Sequence, residues 1–511
     1  MRAPNTWSAF ALAGLLCLRL SAQTAPATAI VGATLVDGRG GPPVADAVVV
    51  LSGSRIVSAG PRRSVAVPAG ATEIDARGRW IVPGFIDTNV HLSLYGGQND
   101  RYESLVRYQP RQREIVLEAA QIDLSYGVTT VRDSYGALVP LTEVRDAIER
   151  GEKSGARILA AGNILGWSGP YSFSFSRVTA PLTLFQEQMN DYIAQEAGEE
   201  LMAMTPEELR RALNKYIDKG PDFIKYGATS HFAEPTFIGF SEEAQKTIVE
   251  ESRRRGRFVE IHATSVEGLR VALAAGVDGI QHPELLDGRE LPDDLVASIR
   301  ERGIVCSMLA STITGPAWQR HLKSRDEAAK KREEAERNNR GIQREKTSAE
   351  RRKDDADAGA GLEARRKNAQ KLIRAGALVT PGTDSYWAAA PELTRTPKFE
   401  EQDHGIGTIM AIEGLVELGM TPSQAIVAAT KNGATASRRL TDFGTIEPGK
   451  IGDFVVLAAD PLADIKNIRK VEMVFKEGRA VDRARLPETR VLSLVPSASK
   501  AGTGAGRERQ W

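Results

Sequence analysis

Cysteine and histidine are scarce in this chain, an excess of charge of either sign is missing, and long apolar runs are missing too. Its 511 residues include two cysteines, Cys17 and Cys306, which cannot build a disulfide framework. The 67 Lys and Arg are balanced by 66 Asp and Glu, so the formal net charge is +1. That balance gives nucleic acid or an anionic membrane no electrostatic hold. The apolar run Phe10 to Leu20 is shorter than the roughly 20 residues a membrane-spanning helix needs, so no stable membrane span is expected. With Arg2 before it and Ser21-Ala22 after it, the run reads as a signal peptide over residues 1–22. An exported protein, periplasmic or secreted, is therefore expected, held together by core packing and not by disulfides. The remaining composition, 41% hydrophobic and 26% charged, is that of a core-bearing globular protein. Only six histidines occur, so each can be weighed individually.

Both ends of the chain are rich in strand formers. Ala29 to Val36 and Ala45 to Ala59 flank a cluster of turn residues at Asp37 to Pro43, and Asp453 to Leu457 and Val471 to Phe475 look alike. A composite β-sandwich from residues 23–80 and 440–490 is expected. Between them, over 81–439, short apolar runs alternate with amphipathic stretches, the pattern of an α/β fold built on parallel strands. Eight strands can be placed: Ile81–His91, Val128–Asp133, Arg157–Gly162, Phe223–Tyr226, Phe258–His262, Gly279–His282, Gly303–Leu309 and Leu378–Asp384. Eight such units predict a (β/α)8 TIM barrel, whose active sites stand at the C-terminal strand ends. His91, Asp133, Lys225, His262, His282 and Asp384 fall at those ends. Residues from about 319 to 371 are mostly Lys, Arg, Glu, Asp and Ala, and read as a solvated helical insertion. The tail, 491–511, is expected to be disordered.

The segment Pro83-Gly84-Phe85-Ile86-Asp87-Thr88-Asn89-Val90-His91 resembles the opening metal motif of the amidohydrolase superfamily, which ends in His-x-His. Here Asn89 stands in place of the first histidine. Asp222-Phe223-Ile224-Lys225 is similar to the strand-four motif whose lysine members carboxylate. Phe258 to Ala263, with His262, and Gly276 to Pro283, with His282, are similar to the two later histidine motifs. Leu378 to Ser385 closely resembles the Gly-Thr-Asp-Ser element that carries Asp384, and Gly444 to Asp453 the return into the small sandwich. The order and spacing are those of the branch with imidazolonepropionase-like and prolidase-like hydrolases.

The resemblance implies a metal site of His91, Lys225, His262, His282 and Asp384, with Lys225 carboxylated, because an ammonium repels a cation whereas a carbamate offers two anionic oxygens. Two imidazoles and one carbamate leave a fourth position open, the pattern of catalytic zinc. A single-metal site holding zinc is expected, or a second site of low occupancy beside it, since a carboxamide at Asn89 suits harder ions better than zinc. Asp384 would serve as general acid and base in metal-dependent cleavage of an amide, cyclic amide or dipeptide-like C–N bond. Plainer readings stand beside these. Asn89 is a ligand or a hydrogen-bonding spacer; Lys225 is a carbamate or an ammonium paired with Asp384 or Asp133; and His91 alone is a ligand or a structural histidine. Trp167, Tyr226, His231 and His404 are candidates for binding a small-molecule or dipeptide-like substrate. The rival function is a non-catalytic barrel that lost full metal binding at Asn89 and acts as a binding protein, and a homo-oligomer is compatible with either.

Overall fold

The computed structural model describes residues 27–95, 106–232, 236–284, 287–338, 360–387 and 399–493. The expected leader, 1–22, and the end of the expected tail, 494–511, lie outside the described residues. The β-branched N-terminal segments form β1 (Thr28–Leu35), β2 (Val44–Ser52) and β3 (Arg55–Pro61), paired antiparallel in succession. Their inward positions are filled by Ile30, Val49, Leu51 and Ile56, all buried. Two further strands, β4 (Thr72–Asp75) and β5 (Trp80–Pro83), run parallel to β1.

The single strand expected at Ile81–His91 is two strands in two sheets. Trp80 to Pro83 belongs to the end sheet, and β6 (Phe85–Tyr95) opens the next one. Gly84 makes the corner because a Cβ there would lie 2.2 Å from Thr129 Oγ1. The chain then alternates strand and helix through β7 (Val128–Asp133), β8 (Arg157–Ala160), β9 (Phe223–Gly227), β10 (Phe258–His262), β11 (Gly279–Gln281), β12 (Val305–Met308), β13 (Leu378–Pro381) and β14 (Ser385–Trp387). These strands make two all-parallel sheets, β14-β6-β7-β8 and β13-β12-β11-β10-β9. Parallel neighbours need long crossovers, and helices supply them. The helix Pro206–Asp218 shows how the sequence starts one: Thr205 and Glu208 form a capping box, Pro206 takes the first turn, and Leu209, Leu213, Tyr216 and Ile217 are buried.

The expected solvated insertion is shorter than residues 319–371. Gly315–Asn338 is a charged helix, and residues 339–359 lie outside the described residues. Ala360–Ala375, however, is the crossover helix into β13. It buries Ala369 and Leu372, and its buried Asn368 donates to the backbone oxygens of Glu284 and Arg289. Charge-rich composition concealed that apolar face. No helix among the described residues is long and apolar enough to cross a membrane.

The C-terminal strands β15 (Phe454–Leu457), β16 (Val471–Lys476) and β17 (Arg479–Ala480) return to the first sheet, where β15 pairs antiparallel with β5. Both chain ends therefore share one eight-stranded sheet. Asp453 fastens it to the parallel layer. Its carboxylate accepts from Arg157 Nη1 at 2.7 Å and from the Glu477 amide at 2.7 Å, with Arg157 and Asp453 both buried. Burial pushes the Asp453 carboxyl up, but Arg157 and Lys476 outweigh it and hold it below the ordinary value. A depressed carboxyl stabilises the fold above its unfolded pKa, and that contribution fades as pH falls through the folded one. Asp453→Ala would take from buried Arg157 its buried carboxylate partner and leave it only the part-exposed Glu477. Urea unfolding is expected to show a loss of about 3–5 kcal/mol near neutral pH, shrinking below about pH 4.

Candidate active site

At the C-terminal ends of the parallel strands lies a cavity of about 470 Å3. His91 reaches it from β6, Lys225 from β9, His262 from the last position of β10, and His282 from the residue after β11. Asp384 stands between β13 and β14. His282 and Asp384 adopt left-handed backbone, with φ of 39° and 57°, a conformation costly for residues with a Cβ. Gly382 lets the chain reach that turn, since a Cβ there would meet Ser307 Oγ at 2.1 Å and Asn89 Cβ at 3.0 Å.

A chain of hydrogen bonds joins the two sides. Lys225 Nζ donates to Ser134 Oγ at 3.1 Å, the Ser134 hydroxyl donates to Asn89 Oδ1, and Asn89 Nδ2 donates to Asp384 Oδ1 at 3.1 Å. Asn89 thus links Ser134 to the aspartate, its oxygen taking the Ser134 hydroxyl and its amide giving to Asp384. His91 Nδ1 lies 3.1 Å from the Tyr135 carbonyl and can only donate there. Its Nε2 faces Asp384 Oδ1 at 2.7 Å, a contact that needs a second ring proton or a shared cation. Burial opposes ionisation of Asp384, but His91, which hydrogen-bonds to it, and Lys225 hold its carboxyl well below the ordinary range. Burial also pushes Lys225 down, against the opposing pull of Asp384, Glu260 and Asp133. The same burial lowers His262 far below the usual imidazole value and His282 to about 3, so both rings are neutral near pH 7.

The cavity walls are largely aromatic. Trp167 stands edge-on to His262 with centroids 4.9 Å apart, Phe175 stacks on His231 at 4.5 Å, and Tyr135 lies 5.3 Å from Phe175. Trp167 and His231 therefore line the cavity as candidates, and two other candidates do not. Tyr226 follows Lys225 on a strand, so its side chain takes the opposite face. There its hydroxyl donates to Gln245 at 2.9 Å. His404 is buried behind β14, its ring 5.2 Å from Trp387 and its Nδ1 3.6 Å from Asp123. The sequence reading missed Tyr135, Phe175, Tyr386 and Gln402, which also line the cavity. Tyr135 was within reach of sequence reasoning, being two residues beyond the end of β7. Phe175 sits in a connection whose path only the fold determines.

A family model for the amidohydrolase family matches residues 80–481. The chain belongs to the amidohydrolase family. It is 26% identical to the ochratoxinase of Aspergillus niger, over 90% of this chain and 86% of that one. It is 24% identical to the imidazolonepropionase of Streptomyces griseus subsp. griseus, over 86% and 93%. Among solved structures, molinate hydrolase superposes with a TM-score of 0.79 at 30% identity, covering 94% of this chain and all of that one. Phenylurea hydrolase B does so at 0.78 and 30%, covering 92% and 100%. Like its family, this amidohydrolase is an enzyme, a hydrolase acting on carbon–nitrogen bonds.

The family usually binds a divalent metal. Among the described residues, no three His, Cys, Asp or Glu side chains converge as a ready ion site. Two pairs do stand in the cavity, His91 with Asp384 and His262 with His282. His262 Nδ1 and His282 Nε2 are 3.2 Å apart, close to the roughly 3.3 Å edge of a tetrahedron with zinc–nitrogen bonds of about 2.0–2.1 Å. Neutral rings at that spacing fit a divalent ion.

Gly382→Ala is expected to push Ser307 and Asn89 apart and misplace Asp384. Thermal or urea unfolding should show a loss of about 1–3 kcal/mol, as overpacked sites do, together with reduced turnover.

Proposed function

We propose that this amidohydrolase is a metal-dependent enzyme in which His262, His282 and a carboxylated Lys225 hold a single zinc ion, with Asp384 as general acid and base. The observation that carries the reading is the meeting of Lys225, two neutral imidazoles and an ionised carboxylate in one aromatic-walled cavity. In this reading the two parallel sheets are arcs of one closed (β/α)8 barrel, with a small β-sandwich built from both chain ends. Contacts at both seams support closure. Leu165 bridges to Tyr226 beside β8, and the Asp384 amide donates to the Asn89 carbonyl at 2.8 Å between β13 and β6. Export through the leader, residues 1–22, is proposed with it.

A bound divalent ion supplies Lewis acidity, lowering the pKa of water from about 15.7 towards about 7 and polarising a carbonyl. The protein's own residues do the rest. Burial disfavours the charged form of Lys225, and it is the neutral form that can add CO2, losing one proton as the carbamate forms. Asp384 Oδ1 carries the hydrogen bonds from His91 and Asn89, which leaves Oδ2 to take a proton from water and return it to the departing nitrogen. The fixed aspartate costs no reorganisation during the reaction. Trp167, Tyr135 and Phe175 exclude water around the scissile group and favour an amide with an apolar or aromatic body. The names of the structural neighbours at 30% identity, molinate hydrolase and phenylurea hydrolase B, support small organic substrates.

Elemental analysis of protein purified without chelators is expected to find about one zinc per chain. His282→Ala should lose that ion and lower kcat/KM on any amide substrate by more than about 100-fold, beyond what loss of an outer-shell partner costs. Wild-type protein that stays metal-free after incubation with zinc or manganese and bicarbonate would overturn this reading.

A further inference from the structure

One surface group next to the cavity has no role in the chemistry above. The helical turn Phe173–Ser176 carries Phe175 into the cavity wall and Phe173 out to solvent, where it is 44% exposed. Phe173 stacks on Phe237 with centroids 5.7 Å apart and planes 13° from parallel, and meets Phe232 edge-on at 6.1 Å. Arg177 caps the same turn with left-handed backbone and lays its guanidinium 4.0 Å from the centre of the Phe232 ring. Among the described residues, no carboxylate pairs with it.

This platform is rigid and continuous with the cavity. Ser172 Oγ accepts from the Phe175 amide, the Ser174 amide donates to Glu199 at 2.7 Å, and the His231 amide donates to the Ser174 carbonyl at 2.9 Å. His231 in turn stacks on Phe175 inside the cavity, while the next residue, Phe232, carries Arg177 outside it. A guanidinium stacked on a ring keeps its edge N–H groups free, and that edge matches a carboxylate bidentately. The exposed ring of Phe173, with half-buried Phe232 and Phe237 beside it, suits a flat ring, and such contacts add about 0.5–1.5 kcal/mol beyond burial.

We propose that Phe173, Phe232, Phe237 and Arg177 form an outer subsite for an aromatic group bearing a carboxylate, on the part of the substrate remote from the bond cleaved. The inference rests on the hydrolase reading for the inner end of that substrate only. The rings hold the flat group, and Arg177 holds the anion. The partner class is thus an amide with an acidic aromatic end, and the cation at the rim selects it over its neutral analogue.

Calorimetric titration of the metal-replete enzyme with 3-phenylpropanoate, beside 3-phenylpropanamide, tests this without turnover. The acid is expected to bind more tightly than the amide. Arg177→Ala should weaken the acid about tenfold and leave the amide unmoved, while Phe173→Ala should weaken both. Arg177→Lys should restore only part of the loss, because an ammonium lacks the planar fork. Equal binding of acid and amide, no binding of either, or an acid affinity untouched by Arg177→Ala would each overturn the subsite; the last would place the carboxylate at the inner site. These results stand apart from the hydrolase reading. Arg177-dependent binding in a protein that cleaves no amide would sink that reading and leave the subsite standing.

Discussion

A buried amine and a part-exposed carboxylate at the same end of a parallel sheet set the terms for this site. Lys225 is buried, and an amine there cannot be left without partners except at a cost of several kcal/mol. The fold answers with a relay. Ser134 and Asn89 connect the two groups, and His91 completes the shell of the aspartate. Around that relay the backbone accepts left-handed conformations at His282 and Asp384, and Gly382 gives up its side chain so that Asn89 and Ser307 can close in. The strain sits where the functional groups sit.

Asn89 shows how one substitution redistributes roles. A histidine at that position would point a lone pair into the site. The carboxamide instead has a donor and an acceptor, and it uses both, taking the Ser134 hydroxyl and giving to Asp384. The aspartate is thereby held by protein hydrogen bonds on one oxygen and left open on the other. This division suits the proton-moving role proposed for Asp384.

Away from the site, stability comes from a different kind of contact. The end sheet and the parallel layer meet at Arg157 and Asp453, a buried pair reinforced by Thr130 and Glu477. The aromatic walls of the cavity serve packing and chemistry together. Trp167 fills space against His262 while its Nε1 donates to the Thr229 carbonyl, so a large ring is fixed without an orphaned donor.

The sequence by itself determined the strand–helix alternation, the family, and the residues that meet in the cavity from the parallel strands or just beyond them: His91, Lys225, His262, His282 and Asp384. Each of these follows an apolar run short enough to be read locally, and a strand's alternation tells which neighbour shares its face. Tertiary structure alone decided the rest. It split Ile81–His91 between two sheets, because the corner at Gly84 depends on Thr129, a residue 45 positions away. It turned Ala360–Ala375 from charged surface into a core helix, because its buried face is set by what packs against it. It sent Tyr226 to the far face and His404 behind the cavity, and it brought Phe173, Phe232 and Arg177 together from connections whose course no periodicity encodes. Local pattern reports which face of an element is buried, and the long-range approach of other elements decides what that face meets.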